Sequence, residues 1–176
     1  MNVRIALVGL SVLIALTGCG PTRGRSSTPA TKSTTTPTVV MICSDEAQRD
    51  ITEALGVAPS EPPRSSWSGQ VYSCRYGYDT SVMVLSVKEF PDGSATAAYL
   101  AAQRGLLVGA QPMPGLGQEA FAARDGWTLL VRKDFKVLTV DVTGLPERFG
   151  RPPQSRATVA VMVAMAILAC WTGSQG

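Results

Sequence analysis

The sequence predicts an α+β domain: an antiparallel sheet of about five strands with helices packed on it, in the order α-ββ-α-βββ-α. Three observations lead there. Two neighbouring runs, Val71 to Tyr78 and Ser81 to Glu89, the second rich in β-branched residues, read as paired strands. A later stretch, Glu119 to Val142, breaks into short alternating segments separated by turn residues. Around and between these lie segments with helical signals at 44–55, 95–107 and 157–171.

In chain order, Ser44 is placed to cap a first helix whose opening turn carries Asp45 and Glu46. Ile51, Ala54 and Leu55 give that helix an apolar face, and Gly56 ends it. Pro59 to Ser68, with Pro62-Pro63, reads as a loop returning the chain to the first strand. Asp79-Thr80 turns that strand into the second, where Val82, Val84 and Val87 mark an extended run. Pro91-Asp92-Gly93 breaks the run, and Ser94 opens an Ala-rich helix, Ala95 to Leu107. Gln111 to Gly117 is a rigid turn segment rich in Pro and Gly. After it come a strand at Glu119 to Arg124, an Asp125-Gly126 hairpin turn and a strand at Trp127 to Lys133. From Val137 to Val142 the residues alternate, Leu138, Val140 and Val142 facing one way and Thr139 and Asp141 the other, so an antiparallel meander with one buried face is expected.

The closing stretch, Ala157 to Trp171, carries no charge. As a helix it would be about 22 Å long, short of the roughly 30 Å hydrocarbon core of a bilayer. Being apolar around its whole circumference, it is expected to be a core helix packed on the sheet and buried on most sides. A hydrophobic face offered to a ligand or partner, and a membrane-dipping segment, are the alternatives.

Charge and composition exclude several functions. From Cys43 onward twelve basic residues face thirteen acidic ones, so no basic stripe remains to track phosphates and no nucleic-acid partner is expected. Histidine is absent. That removes the commonest metal ligand and the side chain most used for acid–base chemistry near neutral pH, and no metal, cofactor or catalytic residue is assigned. No G-x-S-x-G elbow occurs and Ser-x-x-Lys is absent, Ser86-Val87-Lys88 having the wrong spacing.

The N-terminal stretch points to export. Arg4 precedes a run from Ile5 to Leu16 that is apolar apart from Gly9 and Ser11, the form of a secretory signal over residues 1–18. The residues Leu16-Thr17-Gly18-Cys19 resemble the bacterial lipobox. That resemblance implies cleavage before Cys19 and a diacylglyceryl group on its thiol, which would anchor the chain on the outer side of the cell membrane. Residues 19–42, dense in Thr, Ser and Pro, read as a tether, and residues 43–176 as the exported domain. About twenty such residues reach ~25 Å as a flexible coil.

With Cys19 committed to lipid, Cys43, Cys74 and Cys170 allow three single pairings in an oxidising compartment. Cys43 with Cys74 is the favoured one. It would close a loop of about 30 residues and stabilise the fold by roughly 3–4 kcal/mol. Cys170 would then remain a buried thiol or a route to a dimer.

The order of these features resembles a family of small actinobacterial lipoproteins known as a domain of unknown function. The residues that carry the resemblance are the lipobox and tether, Cys43 opening a helix that ends at Leu55-Gly56, and Cys74-Arg75-Tyr76 on a strand. Pro114 to Gly117, Ala120-Phe121 and the apolar stretch Ala157 to Ala169 complete it. The resemblance implies an α+β domain, a Cys43–Cys74 disulfide and an envelope location, and it brings no catalytic residues. Cys170 departs from the family's two-cysteine pattern and leaves room for a different pairing.

These features predict a lipid-anchored, non-enzymatic envelope lipoprotein that binds a partner protein, a wall component or an apolar ligand. Trp67, Tyr72, Tyr76, Tyr78 and Trp127 are candidates to line such a surface, against the commoner role of strand aromatics in packing. The competing expectations are a secreted hydrolase of unrecognised type and a membrane protein with a second anchor at Ala157 to Trp171.

Overall fold

The computed structural model describes residues 38–173. The signal segment, Cys19 and the tether up to residue 37 lie outside the described residues. A 3₁₀ helix, Thr38–Cys43, opens the described chain on the last residues of the stretch read as tether, and Ile42 within it is fully buried. Three α-helices follow: α1 (Asp45–Leu55), α2 (Gly93–Leu106) and α3 (Arg156–Gly173).

Among the described residues, seven strands form one antiparallel sheet. They are β1 (Arg64–Ser68), β2 (Val71–Tyr78), β3 (Ser81–Glu89), β4 (Gln111–Pro112), β5 (Glu119–Ala122), β6 (Thr128–Lys133) and β7 (Lys136–Asp141). Their spatial order is β1-β2-β3-β7-β6-β5-β4. A short ribbon, β8 (Arg148–Phe149) with β9 (Gln154–Ser155), leads into α3.

The α+β class is as expected, but the sheet exceeds the five strands read from the sequence and the order differs. The extra strands lack the signal that marks the others. β1 reads Arg-Ser-Ser-Trp-Ser, is exposed at every position, and lies in what the sequence suggested was a loop. Its pairing with β2 is held by backbone hydrogen bonding through a tight turn in which Gly69 and Gln70 both take positive φ, 56° and 64°. Twist-matched two-residue turns of this kind favour a hairpin without any apolar alternation. β4 is two residues at the opposite edge, where Pro112 costs no ladder bond because no strand lies beyond it.

The helix ends follow from capping. Ser44 Oγ accepts the Ala47 N–H at 3.2 Å at the start of α1, and Gly56, at φ 64°, closes it. At the second helix the cap is Asp92 rather than Ser94: Asp92 Oδ1 accepts the Ala95 N–H at 2.8 Å, so the helix begins at Gly93. That hydrogen bond, with a second from the Ser94 hydroxyl, holds the Asp92 carboxyl below its ordinary pKa.

One sheet face carries the main core. Cys74, Tyr76 and Tyr78 of β2, Met83, Leu85 and Val87 of β3, and Leu138 and Val140 of β7 point to it, beneath the 3₁₀ helix, α1 and α3. The meander was expected to have a single buried face, and here the structure differs. Phe121, Leu130 and Val137, on the opposite parity of β5, β6 and β7, are buried against Leu100 of α2. Strands β5–β7 are thus covered on both sides, β2 and β3 on one, and edge strand β1 is exposed throughout.

The Cys43–Cys74 disulfide, with Cα atoms 5.5 Å apart, ties the segment leading into α1 to the central part of β2. Tyr76 reinforces the same junction, its hydroxyl donating to the Ile42 carbonyl at 2.6 Å. Replacing Cys43 and Cys74 together with Ala is expected to lower stability by about 3 kcal/mol, or roughly 10 °C in melting temperature. Thermal unfolding of the two forms, with and without reductant, checks this. An unchanged midpoint would mean that the bridge restricts nothing the core does not already hold.

Candidate functional site

The residues singled out in the sequence fall into separate places. Tyr76 and Tyr78 are core residues, and burial raises the pKa of both phenols. Trp67, 61% exposed, stands on edge strand β1 against half-buried Tyr72, their rings 5.8 Å apart. Trp127 is half-buried at the start of β6 with the Arg156 guanidinium 4.0 Å above its ring. Tyr72, Tyr76 and Tyr78 share one parity of β2, which turns Tyr76 and Tyr78 under the helices and leaves Tyr72 half-buried against the same core, so these strand aromatics take the commoner role of packing. Cys170 is buried as a thiol on α3, its Sγ 3.0 Å from Asp50 Oδ2 of α1.

The surface that stands out is the outer side of α3. Its inner side supplies Val159, Ala160, Val163, Ala164 and Ile167 to the core. The positions between them, Val161, Met162, Met165 and Leu168, are apolar too, and Met165 is 58% exposed. The helix is therefore packed on the sheet as expected; along this apolar stripe Val161, Met162 and Leu168 are half-buried against the core, and Met165 is the large side chain left exposed. Among the described residues no helix is long and apolar enough to cross a membrane.

That stripe continues into an open groove of about 320 Å³. One wall is Met165, Leu168 and Ala169 of α3; the other is the turn Gly115-Leu116-Gly117, with Lys133 at the end of β6. The turn is held close to the sheet by its glycine. Gly117 has φ 57°, and a Cβ there would overlap the Arg132 carbonyl oxygen and lie 2.8 Å from a Val131 methyl. No side chain fits that gap. The Gln118 N–H donates to the Arg132 carbonyl at 2.8 Å, fixing the turn on β6. Lys133 lies on the α3 side of the sheet, on the parity of Leu129 and Val131, and makes no ion pair among the described residues. Sequence reading found the Pro-Gly-Leu-Gly turn and the apolar helix but not their contact, and it passed over Lys133 and Met165.

Two other surfaces remain. The uncovered half of the sheet carries the hydroxyls of Ser66, Ser73 and Ser86, each in register with the next, and the row continues to Thr139 on the covered strand β7. The Ser73 and Ser86 hydroxyls are 2.8 Å apart. A shallow cleft of about 640 Å³ lies between α1 and the loop 58–62. It carries Asp45, Glu53 and Arg49 on its α1 side, and its Glu61 carboxylate is held by Arg64 at 2.7 Å. No group of His, Cys, Asp and Glu able to hold a metal ion occurs among the described residues. Comparison with protein-family models, with curated proteins and with solved structures finds no match to this chain.

Two outcomes follow from this geometry. Gly117→Val places a branched side chain at a left-handed, filled position and is expected to cost about 2–4 kcal/mol, with the groove distorted; chemical denaturation measures it, and a loss within about 0.5 kcal/mol would mean the turn is not seated as described. Burial, and after it the Asp50 carboxylate, push the Cys170 thiol up to about 12 from its ordinary 9. The folded state thus holds this proton more tightly than the unfolded chain. The associated stability is present in full below pH 9 and is lost as pH rises from 9 toward 12. The wild-type advantage over Cys170→Ala should therefore shrink through that window, and native Cys170 should resist alkylation at pH 8.

Proposed function

We propose that this chain is a lipid-anchored, non-enzymatic lipoprotein of the bacterial cell envelope. In this reading Cys19 carries the lipid, and the domain behind the tether binds an apolar ligand or a partner's apolar segment in the groove beside α3. The anchoring half of the proposal is supported by the charged start, the apolar run and Leu16-Thr17-Gly18-Cys19, together with a Thr/Ser/Pro-rich spacer long enough to hold the domain off the headgroups. The lipoprotein family that the sequence resembles fits the same location. The binding half rests on one observation, the groove that exposed Met165, with Leu168 and Ala169 of α3, forms with the 115–117 turn. A groove lined mainly by apolar side chains with a charged group at hand is the usual form of a ligand site.

A wall component on the open half of the sheet is the second reading, favoured by the hydroxyl row from Ser66 to Thr139. Those side chains are spaced by the interstrand distance of about 4.8 Å and present donors and acceptors on one plane.

Intact-mass measurement of membrane-extracted protein tests the anchor. The expected mass starts at Cys19 with added lipid and one disulfide, and a Cys19→Ala chain is expected to leave the membrane fraction. An unlipidated mass, or a variant that stays embedded, overturns the anchor. For the binding half, Met165→Glu should abolish ligand retention while leaving the fold intact. Loss on Ser86→Leu instead would transfer the function to the open sheet.

A further inference from the structure

We infer that the ligand of the α3 groove is a single-chain amphiphile with an anionic head, its acyl chain along Met165 and Leu168 and its head on Lys133. This deepens the binding reading above and rests on it. The groove walls supply apolar side chains, backbone glycines and one charged residue, Lys133. A protein segment or a neutral oil would leave that ammonium without a counter-charge beside an apolar surface. A carboxylate or phosphate head supplies it.

The placement of Lys133 sharpens the point. It sits on the parity of β6 that faces α3, half-buried, at the end of the strand and in the lining of the groove. Of the neighbouring cations, Lys136 lies 3.4 Å from Glu89, Arg132 3.9 Å from Glu119, and Lys88 over the Tyr99 ring at 5.0 Å. Lys133 makes no such pair among the described residues. The groove volume of about 320 Å³ lies at the small end of the range for ligand pockets, which suits one chain and not two. Met165 in the wall is an unbranched, flexible side chain that can fit chains of different shape.

The test uses the full lipoprotein in membranes and two photoactivatable probes of the same chain length, a long-chain carboxylate and its neutral alcohol. Cross-linked peptides are read by mass spectrometry, and the intact mass of the same sample reports the lipid on Cys19. The carboxylate is expected to label α3 and the 115–117 turn, in competition with unlabelled dodecanoate. Lys133→Met should cut that labelling about fivefold, near the upper end for an ion pair of this exposure, and leave the alcohol's labelling unchanged. Lys133→Arg should restore it, and Ala169→Trp, which fills the groove, should remove both.

Equal labelling by the two probes, or no response to Lys133→Met, overturns the anionic head. Labelling of neither probe at the groove overturns the groove reading itself. An unlipidated chain that still shows the Lys133-dependent preference leaves this inference standing and removes only the anchor.

Discussion

The pairing of β3 with β7 is the interaction on which the rest of the structure depends. Strands β1–β3 and β4–β7 are each local meanders, and neither encloses a core alone. They become one sheet through a ladder running from Val84 opposite Asp141 to Glu89 opposite Lys136. The ladder extends past both ends, with the Phe90 N–H on the Phe135 carbonyl at 2.8 Å and the Val82 N–H on the Gly144 carbonyl at 3.1 Å. Its register is set by burial. Leu85 stands opposite Val140 and Val87 opposite Leu138, all four fully buried on the same face. A slip of one residue would turn Leu85 and Val87 out of the core and bring in Val84 and Ser86.

Joining the meanders fixes what the helices can cover. α2 is the crossover between β3 and the second meander, and it lies over β6 and β7, where Leu130 and Val137 form a second, smaller apolar patch with Phe121. The chain then has only the first face left for α3, which packs there against β6, β7 and α1. The disulfide and the Tyr76–Ile42 hydrogen bond hold the 3₁₀ helix over β2, and α1 fills the remaining space with Ala47, Ile51 and Leu55. The open half of the sheet is a consequence of this arithmetic of layers: with one crossover helix available, β1–β3 stay bare on their second side.

Wherever local chemistry and burial agreed, the sequence was a good guide. β2 and β3 were legible to the residue because alternation, β-branching and the Asp79 turn all coincide there, and α1 was legible because Ser44 and Gly56 bracket its apolar face. β1 was not, since all five of its residues face solvent and its pairing is written in the φ angles of Gly69 and Gln70. The second buried face was missed because Val137 and Leu130 look like surplus apolar residues until α2 is placed over them. The candidate groove was half legible. Its two walls are conspicuous as motifs, but they lie far apart in sequence and meet only once β6 positions both, with Lys133 contributed by a strand end that no motif marks.

The three helices show what α3's outer surface means. α1 turns Asp45, Glu46, Arg49 and Glu53 away from the core, the usual solvated side of an amphipathic helix. α2 exposes small residues, Ser94, Ala98, Ala101, Ala102 and Gly105, with Leu106 in solvent at its end and Arg104 lying 4.4 Å above the Phe121 ring. α3 carries no charge after Arg156, on either side; Val161, Met162 and Leu168 add half-buried contacts to the core, whereas Met165 is largely in solvent. A Lys or Glu at position 165 would cost the core nothing, because the side chain there is largely in solvent. Keeping that stripe apolar carries a penalty in solubility, which packing on the sheet does not offset. The Gly117 turn is brought against the same stripe by a backbone approach that only glycine permits. Two separate structural demands thus end at one small surface, and binding at that surface is the reading that accounts for both.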